Sequence, residues 1–587
     1  MNKAKYDGVE HPVRQVTDLK DIIVSSCSMF KDDTAFLEKD KPGGTFQPIS
    51  YAKVKDDVDA LGTKLMDMGL KGSKIAVVGE TSYHWFLTYF ATVCGVGVIV
   101  PLDKNLPQDE LKSLIERSHA KAIVFSKRME KTIKPLYDEP GEIEYFISMS
   151  ESENEKVLSL EHLIEEGNKL LGEGVRDFVD AEINPEEMAS LLFTSGTTGK
   201  SKGVMLSHKN IASNVVNVSK RVTLDKGCVV LSILPVHHTY ENTIDWVTIY
   251  QGRTIAVCEG IKYILKNMNE VKANCMVGVP LVFEKIFKGL MKQAESRGEG
   301  EKVRNAIALS RRLKLYNNRS LIRKLFKPIH QAFGGGMQLF IAGGAAMDPE
   351  ITESFEAMGI PMIQGYGMTE YAPIIAVNQD NYSIARSVGR PMPEAKVRID
   401  NADENGIGEI VVKGPSVMLG YYEDQDATDE VIEDGWLHTG DLGYLDSNDF
   451  LYLTGRKKTV IVTKGGKNIF PEELESVLKE NELIKETIVH GVTDNAVGNV
   501  IVTADIQPNY ELLEEQRGKM SSSDVYHFYR ELVDEINKTL PPYKAIKRIN
   551  IRENGFAMTT TGKVKRYGNF IEGAAEKGSP DFLEKKA

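Results

Sequence analysis

Residues 191–208 read LLFTSGTTGKSKGVMLSH, and this stretch decides how the rest of the chain is read. An apolar stem, Leu191-Leu192-Phe193, runs into Thr194-Ser195-Gly196-Thr197-Thr198-Gly199-Lys200-Ser201-Lys202-Gly203, and Val204-Met205-Leu206 leads out. Apolar runs on both sides anchor the polar loop, so it does not read as a free linker. The glycines let the backbone turn tightly and present N–H groups to one anion. Hydroxyl side chains and two lysines add donors, a chemistry suited to a triphosphate. In GTTGKS two residues separate the glycines, where a Walker loop has four, and no GxxxxGK[ST] occurs elsewhere in the chain. A P-loop NTPase is therefore disfavoured.

Outward from this loop, the chain has 587 residues, too many for one compact core. It is 42% hydrophobic and 27% charged, a globular composition that excludes disorder throughout. Its net charge of −12 argues against a general nucleic-acid coat, yet one local loop can still oppose that field and bind an anionic small molecule. Five scattered cysteines form no CxxC pair, which excludes a disulfide scaffold and reads as buried thiols in a reducing compartment. The run from Trp85 to Leu102, WFLTYFATVCGVGVIVPL, is nearly long enough to span a bilayer. Gly95 and Gly97 split it into a helical half and a β-branched half closed by Pro101, so a buried helix feeding a buried strand is expected. The first residues lack the apolar core of a signal peptide and the last, FLEKKA, match no prenylation or SKL-type signal, so a cytoplasmic location is expected.

Short β-rich runs (KIAVVGE, KAIVFS, CMVGVP, LFIAGG, PMIQGYG) alternate with helical patterns and end near Gly or Pro. Such alternation predicts an α/β fold with mainly parallel sheets. Between Val388 and Val412, KVRID and GEIVVK flank DENG turn chemistry, which predicts hairpins of a small β subdomain. Beyond LYLTGRKK, the stretch TVIVTKGGKNIFPEELESVLKE reads strand, glycine-rich turn, then a helix starting at Pro471. A boundary near Lys458 gives an N-terminal domain of residues 1–457 and a C-terminal α+β domain of 458–587.

TSGTTGKSKGV resembles the signature loop of the adenylate-forming superfamily, which includes acyl-CoA synthetases, peptide-synthetase adenylation domains and beetle luciferases. Ser201 stands where the family usually has Pro. Six further segments match in the family's order: LPVHHTYENT from Leu234, LFIAGGAAMD from Leu339, QGYGMTE from Gln364, GWLHTGDLGYLD from Gly435, GRKKTVIVTKGGKNIFPEELE from Gly455 and TTTGKVKR from Thr559. Together they are far more specific than any one alone. The resemblance implies a large N-terminal domain of two doubly wound α/β subdomains plus a small β-barrel, and a smaller mobile C-terminal α+β domain.

It also assigns roles. Thr194, Ser195, Gly196, Thr197, Thr198, Gly199, Lys200 and Lys202 would hold phosphates. Gly343, Gly344 and Ala345 would line the adenine pocket. In Gln364-Gly365-Tyr366-Gly367-Met368-Thr369-Glu370, Tyr366 would stack near adenine, Thr369 would contact the α-phosphate, and Glu370, with Thr194 near, would hold Mg²⁺. Asp441 would accept from the ribose hydroxyls, with Arg456 as second contact. His238 would border the acyl pocket. Apart from the resemblance, His237 and His238 have no third ligand at metal spacing, which argues against zinc. Lys563 would offset the repulsion between a carboxylate and the α-phosphate during adenylation. Lys458 would be the hinge, and Lys464-Gly465-Gly466 would line the pantetheine tunnel.

These features together predict a ligase that activates a medium- or long-chain fatty acid with Mg·ATP to acyl-AMP and passes the acyl group to coenzyme A. The alternatives are an acyl-AMP ligase that loads a carrier protein and an aryl- or short-acid CoA ligase. The expected partners are the acid, ATP and CoA, with no nucleic acid and no transmembrane segment; a homodimer and peripheral membrane contact stay open. No basic amphipathic helix stands out in the sequence.

Overall fold

A computed structural model describes residues 10–194, 201–462, 468–494, 499–557 and 564. The chain divides into two compact units. One comprises residues 1–397, 412–438 and 446–451; the other comprises 398–411, 439–445 and 452–587.

Two large sheets build the first unit. One has nine strands, and its six central members run parallel: Met362–Gly367, Leu339–Ala342, Cys275–Gly278, Val229–Ser232, Thr254–Val257 and Thr34–Lys39. The other has eight, with a parallel run from Met188–Thr194 through Gly97–Leu102, Ser73–Val78, Ala120–Phe125 and Tyr145–Ser148 to Val157–Ser159. Antiparallel strands border both runs, as expected where a sheet edge needs no crossover helix. This is the predicted α/β class, and the parallel strands are short and mostly apolar, as strands inside such sheets are.

The apolar run from Trp85 to Leu102 folds inside this unit. Ser82 caps the helix Tyr83–Ala91 by accepting from Trp85 N, a π-turn covers Thr92–Val96, and the strand Gly97–Leu102 follows. Gly97 is required, since a Cβ there would lie 2.1 Å from Ser73 O. Pro101 does not close the strand as its sequence position implied; it lies within it, opposite Val77. On the other side of the strand the pairing is confined to Ile99 and Ser190, so Pro101 sits where the sheet is paired along one edge only.

One core under the nine-stranded sheet combines Met276, Phe340 and Met362 from strands with Met268, Phe283, Ile307, Ile322 and Phe355 from helices. Cys27, Cys94, Cys228 and Cys275 are buried and Cys258 is half-buried. Burial pushes the Cys27 and Cys228 thiols up to about 12 and the Cys258 thiol up to about 11.

The small β element is a five-stranded sheet ordered Lys396–Asp400, Gly408–Lys413, Trp436–Leu445, Ile432–Glu433, with Leu451–Arg456 also paired to Trp436–Leu445. The C-terminal part of the chain has the predicted strand and helix, and the glycine-rich segment 463–467 lies outside the described residues. Ile461–Val462 pairs antiparallel with Asn468–Ile469, and Pro471 starts the helix Pro471–Lys479. A three-stranded sheet (Ile484–Asp494, Asn499–Pro508, Arg548–Ile551) packs Val489, Ala504 and Ile549 against Leu474, Val525 and Tyr529.

Helix Leu160–Gly172 offers a matched test of packing. A Cβ on Gly167 would lie 1.9 Å from Ala60 O of the helix Tyr51–Asp67, whereas one on Gly172 meets nothing within 4 Å. Gly167→Ala should destabilise the unit by about 1–3 kcal/mol, as overpacking does. Gly172→Ala should be neutral or slightly stabilising. Urea unfolding of both variants checks this, and equal midpoints would contradict the packing.

Candidate active site

The stem of the glycine-rich loop is an antiparallel pair, Met188–Thr194 with Lys202–Ser207, in which Phe193 faces Gly203 and Thr194 faces Lys202. Thr194 Oγ1 also donates to Lys202 O at 3.5 Å. Gly203 is needed because a Cβ would crowd Leu191, Tyr422 and Phe193 at 3.0–3.3 Å. On the outer side, Gly420–Tyr421 pairs with Met205 and Val204. That pairing sets Tyr421 beneath Lys202, whose Nζ sits 4.6 Å from the ring centroid. The Tyr421 hydroxyl then donates to Glu370 Oε1 at 2.9 Å. Burial and the Glu370 carboxylate push the tyrosine pKa upward, so it stays a donor. Met418 N donates to Glu370 O at 2.9 Å, fixing the backbone as well. Thr194, Lys202, Tyr421 and Glu370 thus form one connected set.

Glu370 is half-buried, and among the described residues no Lys, Arg or His nitrogen lies within 4.0 Å of it. A carboxylate with one oxygen tied to a phenol and no described cation beside it is a donor that a hard divalent ion would accept. Thr369 is next to it, with its Oγ1 3.4 Å from Thr239 Oγ1. Gly367 has no room for a side chain, since a Cβ would lie 2.0 Å from Pro373 O.

Several nucleotide-pocket candidates have local explanations. Gly343 is glycine because a Cβ would strike the Tyr240 ring at 2.7 Å, and the Tyr240 hydroxyl donates to Ile341 O. Gln364 is buried and ties two segments together, accepting from Met347 N and donating to Ala385 O. Tyr366 is buried at 7% exposure, Met368 is half-buried, and Gly344 and Ala345 are exposed. Gly365 is not crowded, its nearest neighbours standing at ordinary 3.4 Å contact. Asp348 caps the helix Pro349–Ala357 by accepting from Glu350 N.

The His237 and His238 rings meet in a tilted contact, 4.2 Å between centroids and 42° between planes, just before the helix Thr239–Tyr250. The structure supplies a third group that sequence spacing hid: Asp103, after the strand Gly97–Leu102, has Oδ2 3.5 Å from His237 Nε2. One turn into the helix, Glu241 and Asp245 are fully buried. Glu241 Oε1 accepts from Ile233 N at 2.9 Å, and Asp245 Oδ2 accepts from Ser232 Oγ at 3.4 Å. Burial pushes Glu241 up to about 8, and burial with the adjacent Glu241 raises Asp245 well above the usual carboxylate range. Neither appeared among the sequence candidates, although a Glu four residues before an Asp on an apolar helix was a visible signal. Glu241 anchors the loop that carries the two histidines.

In the other unit, Arg456 Nε lies 3.1 Å from Asp441 Oδ1; the aspartate is largely buried and the arginine exposed. Thr439 fixes the approach, accepting from Asp441 N and donating to Ile410 O. Lys457 Nζ pairs with Glu409 Oε2 at 2.8 Å, and Glu409 Oε1 accepts from Gly440 N. Gly440 has φ 68°, a left-handed turn that favours glycine. Thr459, beside the expected hinge Lys458, donates to Glu472 Oε1 at 3.0 Å. Ser195–Lys200, Lys464–Gly466 and Lys563 lie outside the described residues.

Comparison with known proteins fits this arrangement. The family model for AMP-binding enzymes matches residues 24–422, and that for the AMP-binding enzyme C-terminal domain matches 458–569. The chain belongs to the AMP-binding enzyme family. It is 26% identical over 552 residues to the long-chain-fatty-acid–CoA ligase FadD15 of Mycobacterium bovis, covering 89% of this chain and 90% of that protein. It is 24% identical over 625 residues to the Arabidopsis thaliana chloroplastic long-chain-fatty-acid–[acyl-carrier-protein] ligase AEE15, covering 93% and 84%. The structure of o-succinylbenzoate coenzyme A synthetase from Bacillus subtilis, in complex with ATP and magnesium ion, superposes with a TM-score of 0.71 at 20% identity, covering 93% of this chain and 98% of that one. These matches agree with the fold and family that the seven sequence segments implied.

The Glu241–Asp245 pair makes stability depend on pH. An acid whose folded pKa is raised binds its proton more tightly in the native state, so stability falls as pH rises from the ordinary carboxylate value toward 8. Glu241→Gln keeps an acceptor for Ile233 N and removes that titration. Its melting temperature should match wild type near pH 5 and exceed it by about 2 °C or more at pH 8, the scale of 1 kcal/mol in a large domain. Melting curves across this range that stay parallel would reject the assignment.

Proposed function

We propose that this chain is an acid–thiol ligase that converts a medium- or long-chain fatty acid to acyl-AMP with ATP, releasing pyrophosphate, and then transfers the acyl group to coenzyme A. The observation that carries the reading is the connected set Thr194–Lys202–Tyr421–Glu370, which ties the stem of a glycine-rich anion loop to a carboxylate that has no ion pair among the described residues. Family membership and the long-chain relatives support the substrate class.

In this reading Thr194, Lys202 and the intervening residues hold the β- and γ-phosphates, and Thr369 orients the α-phosphate. Magnesium, when bound, neutralises phosphate charge beside Glu370. Asp441 accepts from the ribose hydroxyls, and Arg456, which already holds one of its oxygens, fixes its direction. The fatty carboxylate attacks the α-phosphorus and pyrophosphate leaves. Lys563 lowers the cost of bringing two anions together, then gives way to the Lys464-Gly465-Gly466 segment as residues 458–587 turn about Lys458. His238 borders the acyl carboxylate. The domain division at 457/458 and a cytoplasmic location belong to the same proposal.

A carrier protein is the second acceptor to weigh, because a relative aligned over most of the chain is named for that acceptor. One experiment tests both readings: pyrophosphate release over acids of increasing length, with CoA, with a phosphopantetheinyl carrier protein, or with neither. The expected result is acid-dependent pyrophosphate and AMP, greatest for long chains, and thioester with CoA. Lys563→Ala should lower acyl-AMP formation by at least ~10²-fold, the lower end of what one preorganised electrostatic group contributes. It should leave thioester formation from supplied acyl-AMP largely intact. ADP and orthophosphate as products would overturn the proposal.

A further inference from the structure

The helix Gln108–Ser118 and the stem of the glycine-rich loop share one core. Leu111, Leu114 and Ile115 from the helix are buried with Leu191 from the stem, and Phe193, Met205 and Tyr422 pack against them. The last turn of that helix carries Arg117, an exposed side chain that reaches the mouth of the stem. Its Nη2 donates to Ser201 O at 2.8 Å, and its guanidinium carbon lies 5.3 Å from the centroid of the Phe193 ring. Phe193 stands on the incoming strand, one residue before Thr194, and Ser201 directly precedes the outgoing strand Lys202–Ser207. One guanidinium therefore touches both legs of the hairpin, from 84 residues away in sequence. Among the described residues no carboxylate lies within 4.0 Å of it, so no ion pair competes for these two contacts.

The residue it holds is one that needs holding. Ser201 stands where the family usually has proline, so the chain lacks the ring that would fix φ at the loop exit. A charged donor on the Ser201 carbonyl restrains the same point from outside, and charge-assisted hydrogen bonds are the stronger kind. The planar guanidinium can donate and lie against a ring at once, which a lysine ammonium cannot do. Lys202, the next residue, is already seated over Tyr421.

We propose that Arg117 is a positioning residue for nucleotide binding. By holding Ser201 O and the Phe193 ring it fixes the exit of the anion loop before the phosphates arrive, so that less ordering is left to be done on binding. The inference rests on the reading of residues 194–203 as a phosphate loop; it is independent of which acid or thiol is used. Ordering the loop favours bound ATP and the transition state alike, so the effect falls on affinity and KM and not on kcat.

The test combines equilibrium dialysis of labelled MgATP, without acid or turnover, with steady-state pyrophosphate release. Arg117→Ala should weaken MgATP binding by about tenfold, the scale of one hydrogen bond from a charged donor. KM for ATP should rise equally, while kcat and KM for the acid stay within about twofold. Arg117→Lys should fall between wild type and Arg117→Ala. Lys112→Ala, which removes an exposed cation of the same helix paired with Glu139, should bind MgATP as wild type does. Ser201 precedes the paired strand, so Ser201→Pro removes no bond of its ladder. In that background the effect of Arg117→Ala should shrink to less than about threefold, because the ring supplies the restraint that the arginine otherwise provides. Unchanged affinity in Arg117→Ala, an equal loss in Lys112→Ala, a fall in kcat at constant KM, or an undiminished effect in the Ser201→Pro background would each overturn the proposal. If the wild-type chain bound MgATP with this dependence on Arg117 yet formed no acyl-AMP, the proposed reaction would fall and the role of Arg117 would stand.

Discussion

The hydroxyl of Tyr421 is the contact on which the candidate site depends. Its ring lies under Lys202 and its oxygen donates to Glu370, so one side chain links the stem of the anion loop to the metal-binding candidate. The link is possible only because Gly420–Tyr421, more than two hundred residues beyond the loop, adds an edge strand to Lys202–Ser207. A side chain on an edge strand keeps its register through backbone bonds, so the carboxylate is positioned by a sheet and not by a loose loop. Asn214 supports the same region from behind, donating to Tyr371 O and Ile374 O and accepting from Ile374 N.

Around this contact, small residues serve packing more often than ligand approach. Gly343 leaves space for Tyr240, Gly367 for the Pro373 carbonyl, and Gly203 for Tyr422. The glycine-rich signatures therefore have a structural use, and a nucleotide would meet surfaces already shaped by neighbouring side chains. Asp441 is prepared in a comparable way: Thr439 holds its backbone and Arg456 holds one carboxylate oxygen.

Local signals were readable from sequence. The alternation of β-branched runs, the glycine-split helix and strand from Trp85 to Leu102, and Pro471 at a helix start all depend on neighbours a few residues apart, and all appear in the structure. The misreading of Pro101 came from treating the strand in isolation, when pairing with the neighbouring strand carries it one residue past the proline. Asp103 beside His237 and Tyr421 beside Glu370 were hidden for another reason. Each joins residues distant in the chain, and only strand order and helix packing determine which of them meet. Gln364 is a nucleotide candidate by its motif, and its amide also bonds two backbone groups that the sequence did not indicate.

The distribution of thiols has a practical consequence. Four of the five cysteines are buried across both large sheets and their covering helices, and burial holds their pKa values high, so little thiolate exists near neutral pH. Alkylating reagents would therefore modify the native chain slowly, and the rate at which label accumulates would report how often each sheet opens. The molecule carries its own set of footprinting probes, placed by the same packing that makes its core.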